Sequence, residues 1–447
     1  MVLQRETQCP IWGWADPNEP VSVTFAGQKH STRADEAGRW MVRLRPMKAS
    51  SNPQALTIRG KNTLTLDGIL VGEVWLCSGQ SNMEWGVAQS DNAEQEIASA
   101  NYPRIRHIKI PHRPSDKPEN NVPSDGWKAA TPQNVPGFTA VGYYFARKLE
   151  KELDCPIGLI GSNWGGTRIE PWIPPVGFQQ VPALKEIADR LDTYPARTLQ
   201  KDPRNPLRNA LAVNHQTPLA LYNGMIHPLV PFAIRGALWY QGESNNGEGM
   251  LYLEKMRALI QGWRTVWNKP DMPFYFVQLA PFRYGGDPTN LAGIWDAQRR
   301  ALAIPHTGMA VTTDIGNITD IHPRNKQEVG RRLALWSLAK TYRKPVRVYS
   351  GPLFRDAKVE GNRIRVRFDQ PGGGLVSRDG KPLTHFSIAG EDGRFVPADA
   401  VIEGNTVVVT SPQVTRPTQV RFAWHQEAEP NLANKEGLPA SPFRSGK

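Results

Sequence analysis

Residues 71–83, which read VGEVWLCSGQSNM, decide the fold and indicate where the chemistry lies. The first seven, Val71 to Cys77, form a mostly apolar run of the length expected of a buried strand. Small and polar residues take over from Ser78 to Ser81. In an open parallel sheet, ligands bind outside the carboxyl ends of the strands. A functional site is therefore expected in the residues that follow each strand.

Four further segments have the same apolar character and predict strands: Ile157–Ile160, Ile234–Tyr240, Phe274–Leu279 and Met309–Thr313. Between the predicted strands lie segments with helical periodicity: Val141–Leu153, Tyr252–Val266 and Gln327–Lys340. This alternation predicts an α/β fold with a mainly parallel sheet covered by helices. The stretch at about 173–220 is richer in proline, asparagine and charge, and predicts an insertion with one helix near Ala183–Leu191.

Both ends of the chain have an all-β texture instead. Residues 1–70 contain alternating stretches that predict half-buried strands at Val21–Phe25, Trp40–Leu44 and Ala55–Ile58. Residues 346–447 return to this texture at Arg363–Phe368 and Thr406–Thr410. The expected organisation is a catalytic domain at 71–345 between β-sandwich regions at 1–70 and 346–447. Whether the two β regions form one sandwich or two stays open from the sequence.

Composition argues against several broad classes of protein. With 39% hydrophobic and 21% charged residues among 447, the chain is typical of a globular protein. No apolar run approaches the roughly 20 residues of a membrane helix, so no membrane partner is expected. The net charge of +12 comes from scattered basic residues, such as Arg147-Lys148 and Arg299-Arg300. They form no nucleic-acid-binding pattern, so nucleic acid is not an expected partner.

The cysteines and the start of the chain bear on redox chemistry and location. Cys9, Cys77 and Cys155 have no metal-type spacing, so buried free thiols are expected rather than a zinc site or a disulfide framework. Residues Met1 to Arg5 lack the apolar core of a signal peptide. Two locations stay open: the cytoplasm or, with a signal peptide already removed, the periplasm or the cell exterior. The oligomeric state is not readable from the sequence.

The residues that follow the predicted strands carry the groups needed for acyl transfer. Ser81 follows the first strand, Gly165-Gly166 the second and Gln241 the third, and the last is followed by Asp314 and then Asp320-Ile321-His322. A serine hydroxyl becomes a good nucleophile when a histidine accepts its proton and a carboxylate orients the imidazole. The tetrahedral oxyanion then needs donors that are already in place.

Three sources of oxyanion donors are expected. The backbone N–H of Ser81 is available if this residue lies on a strand-to-helix turn. Gly165 or Gly166 offers a second backbone N–H, because small residues allow close approach. The side-chain amide of Gln241 is the third candidate.

Four sequence blocks, in this order, resemble the sialate O-acetylesterase family of SGNH hydrolases: Gly79-Gln80-Ser81-Asn82-Met83, Trp164-Gly165-Gly166-Thr167, Trp239-Tyr240-Gln241-Gly242-Glu243-Ser244-Asn245 and Asp320-Ile321-His322-Pro323. The resemblance runs nearly end to end, and also includes Trp12-Gly13-Trp14-Ala15, Tyr222-Asn223-Gly224-Met225 and the segment from Gly437 to Arg444. A lone Gly-Gln-Ser is weak evidence, whereas four ordered blocks with matching flanks are specific.

The resemblance implies a three-layer α/β/α hydrolase core with β-sandwich additions, and a reaction that uses no metal and no organic cofactor. By position, it implies that Ser81 is the nucleophile and His322 the general base. Gly165 and Gly166 fall in the second block. Gln241 stands where many SGNH enzymes place the asparagine of the oxyanion hole.

The triad acid departs from the family pattern. SGNH hydrolases usually place the aspartate three residues before the histidine, and here that position is Thr319. Asp320 lies two residues before His322, and residues two apart in an extended segment point the same way, so Asp320 is the expected acid. Asp314 is the alternative, and a serine–histidine dyad is a third arrangement.

Several neighbouring residues have both a substrate-binding and a structural interpretation. Trp85 and Trp164 flank catalytic blocks, and are candidate platforms for a sugar ring as well as candidate core residues. Other residues are candidates for polar contacts with substrate or for hydrogen bonds that hold the loops: Gln80, Asn82, Arg168, Glu243 and Asn245.

The leading hypothesis is a carbohydrate O-acetylesterase that works through an acetyl-serine intermediate. O-acetylated sialic acid is the first expectation for its substrate, and acetylated xylan or xyloglucan is the alternative. A hypothesis of another class, a non-catalytic carbohydrate-binding protein, leaves the blocks around Ser81 and His322 unexplained. A metal-dependent phosphoesterase using Asp314, Asp320 and His322 lacks the spaced ligands that such sites need.

Overall fold

The computed structural model describes residues 1–193 and 213–446. The N-terminal strands are β1 (Val2–Gln4), β2 (Cys9–Trp14), β3 (Pro20–Phe25), β4 (Gln28–Arg33), β5 (Arg39–Leu44) and β6 (Ser50–Arg59). The central strands are β7 (Thr63–Gly79), β8 (Tyr102–Lys109), β9 (Lys128–Ala130), β10 (Ile157–Asn163), β11 (Gly236–Tyr240), β12 (Phe274–Val277) and β13 (Thr307–Ala310). The C-terminal strands are β14 (Leu353–Glu360), β15 (Arg363–Asp369), β16 (Leu375–Ser377), β17 (Phe386–Ala389), β18 (Val396–Pro397), β19 (Asp399–Glu403), β20 (Thr406–Thr410), β21 (Gln419–Phe422), β22 (Leu432–Asn434) and β23 (Phe443–Arg444).

The α-helices of the described residues lie mainly between the central strands. They are α1 (Ser81–Glu84), α2 (Ala93–Ala98), α3 (Ala140–Leu153), α4 (Pro175–Gln179), α5 (Lys185–Ala188), α6 (Met250–Val266), α7 (Asn290–Ala301) and α8 (Lys326–Trp336). In this part of the chain, no helix has both the length and the apolar character needed to cross a membrane.

The central strands form the sheet that positions the candidate site. Their order is β13-β12-β11-β7-β10-β8-β9, and neighbours are parallel except for β9, which runs antiparallel at the edge. The prediction of a mainly parallel sheet therefore holds for these strands. Gly79 at the end of β7 lies opposite Asn163 on one side and Tyr240 on the other. The three chain segments that follow consequently leave the sheet side by side.

Helices pack on both faces of this sheet. Trp75 of β7 contacts Phe145 of α3, with ring centroids 5.1 Å apart. Trp239 of β11 is in register with Ser78 and meets Trp263 of α6 edge to face at 5.9 Å. Because Ser78 is three residues from Trp75 along one strand, the two side chains point to opposite faces. The helices α3 and α6 therefore cover different faces of the sheet.

The N-terminal β region is built onto the central sheet through the long strand β7. Its first part pairs with β1 and β6, and from Glu73 onward it pairs with β10 and β11. The strand thus runs through residue 70, where the sequence suggests a boundary. Alternating side chains explain the continuity, since Leu70 packs in the central hydrophobic core and Val71 in the N-terminal one.

The C-terminal β region has a hydrophobic core of its own. Two antiparallel sheets, β14-β15-β20-β19 and β18-β17-β21-β23, enclose a cluster that includes Val366, Val409, Phe422 and Phe443. The N-terminal cluster consists of other residues, among them Val23. The two β regions therefore form separate cores.

The expected insertion is helical where the structure describes it. A 3₁₀ turn at Pro182–Leu184 leads into α5, and a second turn covers Leu191–Thr193. The single helix expected near Ala183–Leu191 is thus a series of short turns. The part of the insertion at 194–212 lies outside the described residues.

Candidate active site

The carboxyl edge of the sheet brings Ser81 and His322 together. Ser81 is the first residue of α1, directly after β7, and His322 lies in the loop before α8. Ser81 Oγ is 2.8 Å from His322 Nε2, although the residues are 241 positions apart in the chain. Because a neutral imidazole accepts a proton at one ring nitrogen, this geometry suits transfer from the serine hydroxyl to His322.

The imidazole of His322 is held by an aromatic ring and shifted towards its neutral form. The Trp85 ring stacks on it with centroids 4.6 Å apart and an interplanar angle of 16°. Burial and then the charge of Lys326 lower the pKa of His322, against a raising influence from Asp320. A lowered pKa leaves more of the histidine unprotonated near neutral pH, which is the form a general base needs.

The two candidate triad acids occupy different positions. Asp320 Oδ1 lies 3.9 Å from His322 Nδ1 and accepts a hydrogen bond from the backbone N–H of His322 at 2.9 Å. The separation from the ring nitrogen is an ion-pair distance and too long for a hydrogen bond. Asp314 instead forms a two-pronged pair with Arg332 of α8, at 2.6 and 2.7 Å. The carboxylate beside the imidazole is therefore that of Asp320.

Gly165 and Gly166 lie next to Ser81 with different hydrogen bonding. A Cβ added to Gly165 would be 3.3 Å from Ser81 Cβ, so only glycine allows this approach without movement. The N–H of Gly165 donates to Glu84 Oε2 at 2.7 Å. Gly166 has a left-handed φ of +73°. Within 1–193 and 213–446, no hydrogen bond takes up the backbone N–H of Ser81 or Gly166.

The side chain of Gln241 is engaged within the loops and does not present a free donor. It is fully buried, and its Nε2 donates to the carbonyl of Thr167 at 3.1 Å and to Asn245 Oδ1 at 2.8 Å. Its Oε1 accepts from Tyr252 at 2.9 Å. Both N–H groups of the amide are used, so the expected third oxyanion donor is instead a link between loops.

A partly exposed ion cluster, here called the Glu84 cluster, borders Ser81 on one side. It consists of Glu84, Lys109, His112 and Gly165. Glu84 Oε1 accepts from Lys109 Nζ at 2.9 Å and from His112 Nε2 at 2.7 Å. Burial opposes its ionisation, but the hydrogen bonds and the Lys109 charge lower the pKa of Glu84 to about 2. The carboxylate is therefore ionised across the neutral range.

Sequence reasoning did not single out the Glu84 cluster. Glu84 follows Ser81 by three residues, so both side chains lie on one face of the α1 turn, and this spacing was a readable signal. Lys109 and His112 come from the end of β8 and the loop after it, and no spacing in the chain links them to Ser81. Only the fold brings them to the site.

Trp164 stands in a stack of three rings beside this cluster. Its ring lies 4.2 Å from that of His112 with an interplanar angle of 3°, and 5.1 Å from that of His215. Trp164 precedes Gly165, and it is only partly buried. The ring of Trp164 therefore packs against two histidine side chains near the nucleophile.

A buried group, here called the Lys326 cluster, borders Ser81 on its other side. It consists of Lys326, Asn82 and Glu243, whose residues are 0%, 2% and 8% exposed. Lys326 Nζ donates to Asn82 Oδ1 at 2.6 Å, and Asn82 Nδ2 donates to Glu243 Oε1 at 2.6 Å. Asn82 and Glu243 were candidates for contact with substrate, and their burial assigns them to the framework behind Ser81.

Gln80 and Asn245, the other amide candidates, also hold loops together. Gln80 is 2% exposed, and its Oε1 accepts from the backbone N–H of Gly242 at 3.3 Å. Asn245 is fully buried and accepts from the N–H of Ile169 at 3.0 Å. Both therefore lie beneath the site surface.

Arg168 is partly exposed but already neutralised. Its guanidinium contacts Glu170, at 3.1 Å, and Glu248, and both carboxylates are also bound by the buried Lys255. The pair of carboxylates balances the two cations. Arg168 therefore offers no free positive charge to an anionic substrate.

The described residues contain no group of three or more His, Cys, Asp or Glu side chains arranged to hold a metal ion. Asp314, Asp320 and His322, the set considered for a metal site, do not come together, since Asp314 is bound to Arg332. Cys9, Cys77 and Cys155 are all buried free thiols, as expected.

The chain matches one protein-family model, described as carbohydrate esterase, sialic acid-specific acetylesterase, over residues 71–199 and 210–338. The two matched ranges include Ser81, Gly165, Gln241 and His322. They cover more than half of the chain.

Named relatives agree with this match. The chain is 31% identical to the sialate O-acetylesterase of Mus musculus over 427 residues, covering 83% of this chain and 77% of that protein. It is 32% identical to the Homo sapiens sialate O-acetylesterase over 405 residues, covering 79% and 71%. A crystal structure of a carbohydrate acetylesterase from Xanthomonas citri is similar with a TM-score of 0.89 and 40% identity, covering 100% of this chain and 97% of that one.

Proposed function

This chain belongs to the carbohydrate esterase family of sialic acid-specific acetylesterases, and from that premise we propose that it removes O-acetyl groups from a carbohydrate through Ser81 and His322. The family and the relatives make it an esterase. The observation that carries the proposed mechanism is the 2.8 Å separation between Ser81 Oγ and His322 Nε2. It unites the strongest nucleophile candidate with a base at hydrogen-bond distance.

The proposed reaction has two halves. In the first, His322 accepts the Ser81 proton as Oγ attacks the acetyl carbonyl, and then returns a proton to the sugar oxygen as the ester C–O bond breaks. This step leaves the acetyl group on Ser81 and releases the sugar. In the second, His322 accepts a proton from water, which attacks the acetyl-serine, and acetate and free Ser81 result.

The proposed oxyanion hole uses the backbone N–H groups of Ser81 and Gly166. Neither has a hydrogen-bond partner within 1–193 and 213–446, whereas Gly165 donates to Glu84. We infer that Glu84 holds the glycine loop against α1 so that Gly166 faces the developing charge. Donors that need no rearrangement stabilise the tetrahedral intermediate more than donors that must move.

Asp320 is the proposed partner of the imidazolium, acting through charge. At 3.9 Å from Nδ1 it stabilises the protonated ring electrostatically, while its hydrogen bond to the backbone of His322 shapes the loop. The orientation that a hydrogen-bonded aspartate gives elsewhere comes here largely from the Trp85 stack.

The names of the mammalian relatives put O-acetylated sialic acid first among substrates. An acetylated neutral polysaccharide such as xylan or xyloglucan is the second candidate, and one observation favours it. Arg168, the candidate that the sequence offers for a sialate carboxylate, is bound by Glu170 and Glu248. An uncharged sugar needs no such cation.

For the architecture, we propose an SGNH-hydrolase core at 71–345 with β-sandwich regions at 1–70 and 346–447. Helices on both faces of the parallel sheet and the separate terminal cores support this division. β7 then serves as a strand shared by the first two units.

The deciding experiment measures acetate release from O-acetylated sialic acid and from acetylated xylan and xyloglucan oligosaccharides. Wild type is expected to act on one substrate class, and Ser81→Ala is expected to lose about 1,000-fold or more in kcat. A folded Ser81→Ala variant that still works at the wild-type rate overturns the mechanism. Lack of release from every substrate by folded wild type overturns the proposed function.

A further inference from the structure

The loop that carries His322 is held by its backbone on both sides of the histidine. Asn82 Nδ2 donates to the carbonyl of Ile321 at 2.9 Å, and Lys326 Nζ donates to the carbonyl of Pro323 at 2.6 Å. Asn82 adjoins Ser81 on α1. The same two side chains that contact the histidine loop therefore fix it relative to the nucleophile.

Asn82 links the histidine loop to the other members of the Lys326 cluster. Asn82 Oδ1 accepts from Lys326, and Asn82 Nδ2 donates to Glu243 and to the carbonyl of Ile321. The Lys326 ammonium also lies 5.8 Å from the Trp85 ring centroid and 5.5 Å from that of Tyr240. Trp85 is the ring that stacks on His322. The ammonium therefore lies close to the ring that holds the imidazole and also contacts the backbone of the histidine loop.

A fully buried lysine is costly for folding alone. Removing an ammonium group from water carries a penalty of several kcal/mol, and an apolar side chain of similar volume often stabilises such a site as well or better. Lys326 is 0% exposed, and its ammonium donates to the side-chain amide of Asn82 and to the backbone carbonyl of Pro323 in the histidine loop. A contribution to the reaction accounts for its position better than packing does.

The usual orienting group is displaced in this site. Asp320 is 3.9 Å from the ring nitrogen that a triad aspartate would bind. Fixing His322 therefore depends on its backbone and on Trp85.

We propose that Lys326 and Asn82, anchored by Glu243, are positioning residues that clamp the backbone on both sides of His322 onto the helix of Ser81, and that the Lys326 charge keeps His322 ready to accept a proton. This inference rests on the proposed roles of Ser81 and His322. It names residues that act through the histidine and do not touch the substrate.

The charges around His322 determine the direction in which loss of Lys326 shifts the pKa of the histidine. His322 faces the Lys326 ammonium and the Asp320 carboxylate, and the nearby Lys326 charge lowers the pKa of His322. Burial lowers the pKa of Lys326 itself to about 7, although Glu243, Asp320 and Asp91 raise it. Removing the Lys326 charge should raise the pKa of His322. The acid limb of activity should then move to higher pH.

The main test compares wild type with Lys326→Met, which keeps length but loses the charge and both hydrogen bonds. We expect kcat for acetyl-ester hydrolysis to fall about 10- to 100-fold, because small displacements of a catalytic group cost this much. KM should change less than about twofold, since substrate contacts are intact. The acid limb of the kcat/KM profile should move upward.

Lys269→Met is the matched control. Lys269 also donates its Nζ to a backbone carbonyl, that of Ile234 at 2.6 Å, but this carbonyl precedes β11 at the amino edge of the sheet. The same chemical change there should leave the acid limb in place. If Lys326→Met also leaves both kcat and the acid limb unchanged, the clamp is wrong.

A second variant covers the case in which Lys326→Met does not fold. Asn82→Asp keeps an oxygen for Lys326 but replaces the donors to Ile321 and Glu243, and it should lower kcat while KM holds. Wild-type kcat in folded Asn82→Asp overturns the proposal. Ser81→Ala, measured in parallel, distinguishes failure of the proposed function from failure of the clamp. Full activity of Ser81→Ala contradicts the proposed function. An inactive Ser81→Ala together with fully active clamp variants contradicts only the clamp.

Discussion

The Glu84 cluster and the Lys326 cluster flank the same serine, but the first holds a partly exposed carboxylate and the second a fully buried ammonium. The Glu84 side chain is 28% exposed and meets Lys109 and His112, whose side chains are 39% and 37% exposed, so the hydrogen bonds and the Lys109 charge favour its ionised form over the cost of partial burial. Lys326 is shut away from water and faces polar groups that only partly replace it. One flank therefore has a fixed charge near neutral pH, and the other has a charge that titrates there.

This contrast indicates a division of labour around Ser81. The Glu84 cluster holds the glycine loop, where negative charge develops on the oxyanion. The Lys326 cluster holds the histidine loop, where a proton arrives and leaves. Because Glu84 stays ionised, its hydrogen bond to Gly165 is kept across the neutral range, and the Lys109 charge offsets that of the carboxylate. A nearby cation whose charge sets the proton affinity of the base suits the task of the Lys326 cluster.

The largest effect should come from the residue on which both flanks converge. His322→Ala is expected to lower kcat about 1,000-fold or more, because no other base is at hydrogen-bond distance from Ser81 in the described residues. Combining it with Ser81→Ala should add little, since the two side chains act as a unit. Single-turnover acetate release measures both variants. A double variant much slower than either single one would separate their roles.

The central sheet was predictable from the sequence because its strands are buried on both faces and read as apolar runs. β7, β10, β11 and β12 cover all or most of the predicted strands Val71–Cys77, Ile157–Ile160, Ile234–Tyr240 and Phe274–Leu279. β8 was missed because Arg104, Arg106 and Lys109 interrupt its apolar residues. These charges are satisfied by tertiary partners such as Glu150 and Glu84, and such partners are invisible in a sequence.

The two reacting residues of the site were predictable from the sequence, whereas the roles of the residues around them were not. Ser81 and His322 stand in recognisable blocks, and the structure places them within hydrogen-bond distance. Gln241 and Glu243 belong to an equally recognisable block, yet both are buried behind the site. A motif indicates which residues cluster, but which of them faces the cleft depends on loop packing. The Lys326 ammonium shows the same limit, since only the fold reveals that it is buried.

The next largest effect tests the fixed charge. Glu84→Gln should lower kcat about 10- to 100-fold, because it removes the carboxylate that holds Gly165, Lys109 and His112 together. Glu243→Gln should lower kcat less than about threefold. Burial raises the pKa of Glu243, and the amide oxygen still accepts from Asn82.

Steady-state kinetics on one acetyl ester compares these two variants, with Glu150→Gln as a control. Glu150 pairs with Arg104 in a partly buried ion pair away from Ser81, so its loss should leave kcat unchanged. Equal effects of Glu84→Gln and Glu243→Gln would remove the distinction between the two flanks.

A smaller effect on rate is expected from the two aspartates on the histidine side. Asp320→Asn should lower kcat about fivefold, since a half-exposed charge 3.9 Å away is worth about 1 kcal/mol. Asp314→Asn should leave kcat unchanged but cost about 2 kcal/mol of stability, because the buried Arg332 loses its two-pronged partner and keeps only Glu328 as a carboxylate contact. Kinetics at 25 °C together with urea unfolding tests both. A large loss of kcat in Asp314→Asn would move the triad acid to that residue.

The effects of pH on stability differ in direction between the two flanks. The pKa of Glu84 is lowered to about 2 in the folded chain, so its contribution to stability is full above the unfolded value near 4.5 and is lost as pH falls towards 2. The pKa of Lys326 is lowered to about 7, so the unfolded chain binds its proton more tightly between pH 7 and 10.5 and stability rises with pH across that window.

Urea unfolding of wild type, Glu84→Gln and Lys326→Met against pH checks both. Glu84→Gln should flatten the acid side and Lys326→Met the alkaline side. An alkaline slope that survives in Lys326→Met would mean that this buried ammonium does not titrate near neutrality, and the contrast between fixed and titrating charge around Ser81 would fail.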